Sequence, residues 1–284
     1  MRRVLRRRAA ALGAGAALAL LGGLAAGVPG ASGGFTARIT NSTDTAGTAN
    51  YFTCQPAIAA DKAAALFQWP LADASGATTA TDISGSNRTG TYTGSVVSDA
   101  STPIACPRDG GSAWRLDGST SAAYYGTSQT NPQVFTLEVD FQTTVKGGKL
   151  IGFGSSTTGA SAQYDRQLYL NKNGAVVFGV YPSAYRTLTS PASTYADGAW
   201  HHVAATLSAS GMALHLDGRL VASDAATTSA QVFNGYWRVG YDTIGPGWSN
   251  APTNPWFTGR LRAAAVYTSA LTAQQIANHA APTF

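Results

Sequence analysis

The stretch Asp197-Gly-Ala-Trp-His-His-Val-Ala-Ala-Thr206, followed by Met212-Ala-Leu-His-Leu216, Asp217-Gly218 and Arg219-Leu-Val-Ala222, decides the fold. Its second half places two short apolar runs on either side of Asp-Gly, a dipeptide whose residues tolerate the positive φ of a tight hairpin turn. The arrangement recurs where Gln167 to Asn171 and Val176 to Tyr181 flank Asn173-Gly174. Upstream, Phe135-Thr-Leu-Glu-Val-Asp-Phe141 alternates strictly. Side chains on a strand repeat every two residues, so Phe135, Leu137, Val139 and Phe141 share one face, and Glu138 and Asp140 the other. From Leu66 onward, short alternating runs separated by turn dipeptides predict an antiparallel all-β sandwich. Near the C-terminus Thr272-Ala-Gln-Gln275 forms a capping box, with Leu271 and Ile276 placed as a hydrophobic staple, which predicts one helix of about seven or eight residues. Trp237 alternates with Arg238 and reads as core.

The segment Asp197–Thr206 with Leu214-His-Leu-Asp-Gly-Arg-Leu-Val221 resembles the LamG-like jelly-roll family of the concanavalin A-like lectin/glucanase superfamily. Other segments agree with that pattern. Phe67-Gln-Trp-Pro-Leu71 and Asp82-Ile-Ser-Gly85 are similar to the family's opening strand and turn, and Trp114-Arg-Leu-Asp-Gly118 to its next element. Tyr236-Trp-Arg-Val-Gly240, Phe257-Thr-Gly-Arg-Leu261 and Val266-Tyr-Thr-Ser-Ala-Leu271 are similar to the closing strands and the small helix after them. The resemblance runs over roughly 66–281. It implies a two-sheet antiparallel jelly-roll sandwich of concanavalin A type, found in secreted or surface proteins that bind carbohydrate or mediate adhesion. It implies no reaction, because fold and function separate in such superfamilies.

Residues 1–8 are cationic, Ala9 to Val28 form an apolar run, and small residues follow at Gly30 to Gly34. Residues 1–34 therefore read as a secretory signal peptide or, if uncleaved, as a membrane anchor. Adjacent arginines leave twin-arginine export open. Residues 35–65 read as an extended segment, and 66–284 as the jelly-roll domain. Five of the 19 basic residues sit in the leader, and without them the remaining 14 balance the 14 acidic ones. A neutral mature chain lacks the positive field that accompanies nucleic-acid binding, so no nucleic-acid partner is expected. Export places Cys54 and Cys106 in an oxidising compartment, where a disulfide between them is the expected state.

Catalytic chemistry finds little support. Superfamily glycosidases carry an E-x-D-x-E strand, and here Glu138-Val-Asp-Phe-Gln142 ends in an amide. Gln142 cannot exchange a proton with a leaving group or with water, which leaves Glu138 without a partner. Glu138 and Asp140 then read as polar residues on the outer face of a half-buried strand. His201 and His202 point to opposite faces and do not share an ion; His215 and His279 are isolated in sequence.

The best binding candidate is the loop Tyr241-Asp-Thr-Ile-Gly-Pro-Gly-Trp-Ser-Asn-Ala-Pro-Thr-Asn-Pro-Trp256. A long Gly/Pro/Asn-rich loop of this kind is often functional. Tyr241, Trp248 and Trp256 offer ring faces to a sugar, while Asp242, Asn250 and Asn254 offer hydrogen bonds. The alternative is that Trp248 and Trp256 fold inward as packing residues. Jelly-roll relatives often bind calcium, but no segment matches a defined ligand set, so no cofactor or metal is assigned. The expectation is a secreted or cell-surface, non-catalytic module for a glycan, surface polymer or protein ligand. A structural surface protein and a glycoside hydrolase are the alternatives.

Overall fold

The computed structural model describes residues 53–100, 109, 111–191 and 194–280. The leader, most of segment 35–65 and Cys106 lie outside them, so leader cleavage and the Cys54–Cys106 pairing do too. Along the chain run β1 (Ala65–Trp69), β2 (Thr79–Ala80), β3 (Gly90–Thr93), β4 (Val97–Asp99), β5 (Ala113–Asp117), β6 (Ala122–Tyr124), β7 (Gln129–Thr130), β8 (Phe135–Gln142) and β9 (Gly148–Gly154). They continue as β10 (Tyr164–Leu170), β11 (Val176–Val180), β12 (Arg186–Thr189), β13 (Trp200–Ser208), β14 (Gly211–Leu216), β15 (Arg219–Asp224), β16 (Asn234–Val239) and β17 (Thr258–Tyr267). Helices α1 (Cys54–Ala60) and α2 (Ala273–Ala280) stand at the two ends.

The strands form two antiparallel sheets, a jelly-roll sandwich. An eight-stranded sheet has the order β15-β14-β13-β8-β17-β5-β4, with β1 also on β17. A nine-stranded sheet has the order β12-β11-β10-β9-β16-β6-β3-β2, with β7 also on β16. Both Asx-Gly hairpins form as the sequence predicts, β10 with β11 and β14 with β15. At the second turn Asp217 and Gly218 take φ of 50° and 76°, the left-handed region such a dipeptide tolerates.

Alternation fixes which residues meet between the sheets. Phe135, Leu137, Val139 and Phe141 of β8 are fully buried against Ile151, Phe153, Leu168, Phe178 and Trp237 of the facing sheet. Edge-to-face ring pairs, Phe135–Phe178 at 6.2 Å and Phe135–Trp237 at 5.6 Å, cross that core.

The outer face of the eight-stranded sheet carries a second, smaller apolar cluster. Ala65, Ala204, Ala265 and Tyr267 receive Leu271 and Ile276 there, the two ends of the hydrophobic staple. The capping box is made, with the Gln275 N–H donating to Thr272 Oγ1 (3.3 Å) and the Thr272 N–H to Gln275 Oε1 (2.9 Å).

One expectation is corrected. The described part of segment 35–65 is not extended, because Cys54–Ala60 is helical and Lys62–Ala64 forms a 3-10 turn. Alanine-rich sequence supports the helix, and burial of Cys54 and Ala57 and packing on α2 fix it. A helix of about two turns is too short to show a helical periodicity in the sequence.

Candidate functional site

The loop 241–256 lies on the outer face of the nine-stranded sheet. Leu168, Leu170, Val176 and Phe178 face the core, so Tyr169 and Val177 face outward, where Ile244 and Trp248 cover them. The Tyr169 hydroxyl donates to the Ser249 carbonyl (2.7 Å) and pins the loop down. Trp248 is 3% exposed, with its six-membered ring over Gly179. A Cβ at Gly179 would stand 2.6 Å from Trp248 Cζ3, so Gly179→Ala is expected to displace the indole and cost about 1–3 kcal/mol. Thermal unfolding and tryptophan fluorescence of that variant check this.

Beside Trp248 the surface opens into a cleft of about 250 Å3, walled by Gln163, Tyr164, Tyr181, Tyr185, Gln231 and Trp248. Tyr181 and Tyr185 bracket the turn Pro182-Ser-Ala184 between β11 and β12. Their rings stand 4.7 Å apart at 60°, and Tyr185 meets Trp248 edge-on at 5.1 Å and 72°. The backbone at Gly245 and Gly247 lies against Tyr164 and Tyr185, an approach that a side chain would block. Tyr185 is 47% exposed, so one edge of this aromatic wall is open to solvent. Burial, then the Tyr185 phenol and Asp242, pushes the Tyr164 hydroxyl up, which keeps it a protonated donor.

Asp165 positions this wall. It is fully buried, and its carboxylate accepts from the backbone N–H of Arg166 (2.7 Å), Tyr181 (2.8 Å) and Gln231 (2.5 Å). One side chain thus ties together the strand that starts at Tyr164, the turn that starts at Tyr181, and Gln231. Burial raises its pKa, and the Arg166 guanidinium and these three N–H groups oppose the rise. Arg166, with φ of 51°, sits in a bulge of β10 against β9, and its guanidinium donates to Pro132 O, Asn131 Oδ1 and Gln231 O. Bulges and left-handed non-glycine residues concentrate next to functional sites.

Of the six loop residues named from sequence, the structure brings Trp248 to the cleft. Tyr241 and Trp256 stack on each other instead, 3.5 Å apart at 8°, with the Arg238 guanidinium 5.1 Å from the Tyr241 ring. Asn254 Nδ2 donates to Gly118 O, and its Oδ1 accepts from the Trp256 N–H. Asn250 turns the chain with φ of 47°, and its carbonyl accepts from the Lys172 N–H. Asp242 is fully buried, accepting from Ser161 N and Oγ, Arg238 Nη1 and Thr243 N. With its oxygens so engaged, Asp242 does not fit a calcium ligand. The sequence reading missed Gln163, Tyr164, Tyr181, Tyr185, Gln231 and Asp165; the signal available was the pair of tyrosines around Pro182-Ser-Ala184.

The carboxylates of β8 face outward, as alternation requires, but they are buried. Glu138 is 2% exposed beneath α2, where its Oε2 contacts His279 Nδ1 (2.9 Å), and His279 Nε2 contacts Asp61 Oδ2 (2.9 Å). His202 Nε2 stands 3.9 Å from Glu138 Oε1. Gln142 donates to the Gly198 carbonyl (2.8 Å) and accepts from Arg260 (2.9 Å). Burial drives the Asp140 carboxyl well above its ordinary value, with Arg262 opposing. His201, on the opposite face, bridges Asp217 (3.0 Å) and Asp197 (3.3 Å).

Comparison with solved structures finds the same fold in much larger chains. The binding domain of Paraclostridial Mosquitocidal Protein 1 aligns with a TM-score of 0.55 at 14% identity, over 76% of this chain and 51% of that one. A botulinum neurotoxin type C structure, whose description concerns interaction with two ganglioside molecules, aligns with a TM-score of 0.54 at 13% identity, over 78% of this chain and 51% of that one. The binding domain of botulinum neurotoxin DC in complex with rat synaptotagmin II aligns with a TM-score of 0.51 at 11% identity, over 76% and 51%. The chain thus spans about half the length of these structures. No curated protein sequence matches it. The profile of the concanavalin A-like lectin/glucanases superfamily matches residues 116–277, more than half of the chain. On that match, and on the two-sheet jelly roll, the chain belongs to the concanavalin A-like lectin/glucanases superfamily.

Proposed function

We propose that this protein is a secreted or surface-displayed, non-catalytic module that binds carbohydrate through the cleft of Tyr164, Tyr181, Tyr185 and Trp248. The observation that carries the reading is the wall itself, a strip of aromatic rings with two glutamines at its rim. Ring faces stack on the apolar faces of sugars, and amides pair with hydroxyls, the balance expected of a small-ligand site. Related folds engage gangliosides and a protein, which agrees with a ligand-binding role. The apolar run at Ala9 to Val28 supports export.

The arrangement on β8 supports the non-catalytic part. Glu138 is buried under α2 and spent on His279, and the position two strand steps on is an amide engaged by Gly198 and Arg260. A retaining glycosidase needs two accessible carboxyls flanking one bond.

Tyr185→Ala is expected to weaken glycan binding by about tenfold or more while leaving the unfolding midpoint within about 1 °C, since the ring is half-exposed and anchors are few in such sites. A glycan array followed by titration calorimetry checks it. Undiminished binding by the folded variant removes the cleft from the reading.

A further inference from the structure

We infer that the cleft selects a neutral sugar residue, one without carboxylate, sulfate or phosphate; this rests on the carbohydrate reading above and names its ligand class. Gln163, Tyr164, Tyr181, Tyr185, Gln231 and Trp248 supply the wall, and none of these side chains is charged. Arg186 follows Tyr185 in the chain, but it pairs with core-facing Val180 and shares a strand face with core-facing Leu188, so it leaves the sheet on the face away from Trp248 and acts on Asp224. Three further cations lie behind the wall and are already engaged. Arg166 is fully buried and gives its guanidinium to Pro132 O, Asn131 Oδ1, Gln231 O and Asp165. Lys149, also fully buried, donates to Thr243 O (2.9 Å). Arg238, 3% exposed, donates to Ser156 O, Gly159 O and Asp242. Turning any of them toward a ligand would leave a buried carboxylate or carbonyl unpaired. An anionic sugar entering the cleft would therefore lose hydration and gain no counter-charge.

Ring geometry argues against a quaternary ammonium ligand. Cages for such cations hold rings around a central space, so that several faces meet the charge at once. Here Tyr181, Tyr185 and Trp248 touch one another in series at 4.7 and 5.1 Å and form a strip instead. The side-chain amides of Gln163 and Gln231 have no hydrogen-bond partner among the described residues and present both donors and acceptors, which suits hydroxyls. At about 250 Å3 the cleft falls below the roughly 300–1,000 Å3 of clefts for drug-sized ligands, a size for one or two sugar rings rather than an enclosed chain.

The test uses the full chain and three sets of probes: neutral galactose- and glucose-terminated oligosaccharides, the same scaffolds capped with sialic or glucuronic acid, and choline. Neutral probes are expected to bind at least about tenfold more tightly than their acid-capped forms, with little change between low and high salt. Gln163→Arg, at an exposed rim position, is expected to raise the affinity for acid-capped probes severalfold. Equal or tighter binding of acid-capped probes by the unmodified chain overturns the neutral class and leaves the carbohydrate reading standing. Choline binding lost in Tyr185→Ala, or no glycan bound at all, overturns both.

Discussion

Asp165→Ala is expected to cost about 3–5 kcal/mol of folding stability and to abolish carbohydrate binding in whatever fraction remains folded. Two losses combine. The Arg166 guanidinium, at 0% exposure, loses the Asp165 carboxylate beside it. The backbone N–H groups of Arg166, Tyr181 and Gln231 lose their acceptor; the buried one, on Arg166, costs about 1–3 kcal/mol as an orphan, and the part-buried ones on Tyr181 and Gln231 cost less. Because those N–H groups belong to the segments that carry Tyr164, Tyr181 and Gln231, the cleft comes apart with the network. Denaturant titration of the variant beside Tyr185→Ala separates the two roles. Tyr185→Ala loses binding and keeps its stability, whereas Asp165→Ala loses both. A stability loss under about 1 kcal/mol would show that Asp165 does not hold the wall.

The contrast between those two residues also marks what was legible in the sequence. Strand faces were legible because a period of two leaves Phe135, Leu137, Val139 and Phe141 no other common side. The Asn173-Gly174 and Asp217-Gly218 turns and the Thr272–Gln275 capping box were legible because each is a local arrangement of a few residues. The cleft was not. Its walls come from β10, from the β11–β12 turn, from the approach to β16 and from the loop after β16, and topology alone brings them together. Asp165 gave little signal because, besides the neighbouring Arg166 guanidinium, its partners are backbone N–H groups, which every residue but proline possesses. His279 reads as isolated because its partner Glu138 lies 141 positions away. The outward polar face of β8 reads as solvated, since nothing in that strand reveals that α1 and α2 cover it. The 241–256 loop was recognisable from its Gly, Pro and Trp content, but that content does not say which of its side chains turn toward the cleft and which stack on each other.

The second large effect concerns that covered face. His279→Gln is expected to destabilise the protein by about 3 kcal/mol near pH 5.5 and by roughly half as much near pH 9. His279 bridges Glu138 and Asp61, joining α2 to β8 and to the end of α1. Around the bridge stand His202 and His215 from β13 and β14, Tyr267 and Gln68 from β17 and β1, and Asp140 with Arg262 further along the sheet. Burial alone would lower the imidazole's pKa, but Glu138 and Asp61 outweigh it, and the folded value lies above the ordinary 6.5. A raised folded value means that this stabilisation is complete below about 6.5 and is lost as pH rises through the folded value. Glu138 moves the other way. Burial would raise it, but His279 and His202 bring it below its ordinary 4.5, so its contribution is present above about 4.5 and is lost as pH falls through the folded value. His202, buried and pushed down, opposes protonation and steepens the acid limb. The stability difference between the unmodified chain and His279→Gln should therefore be largest between about pH 4.5 and 6.5 and shrink on both sides. Denaturant titrations across pH 4 to 9 measure that difference directly, and a profile flat with pH would mean that His279 contributes packing and no charge.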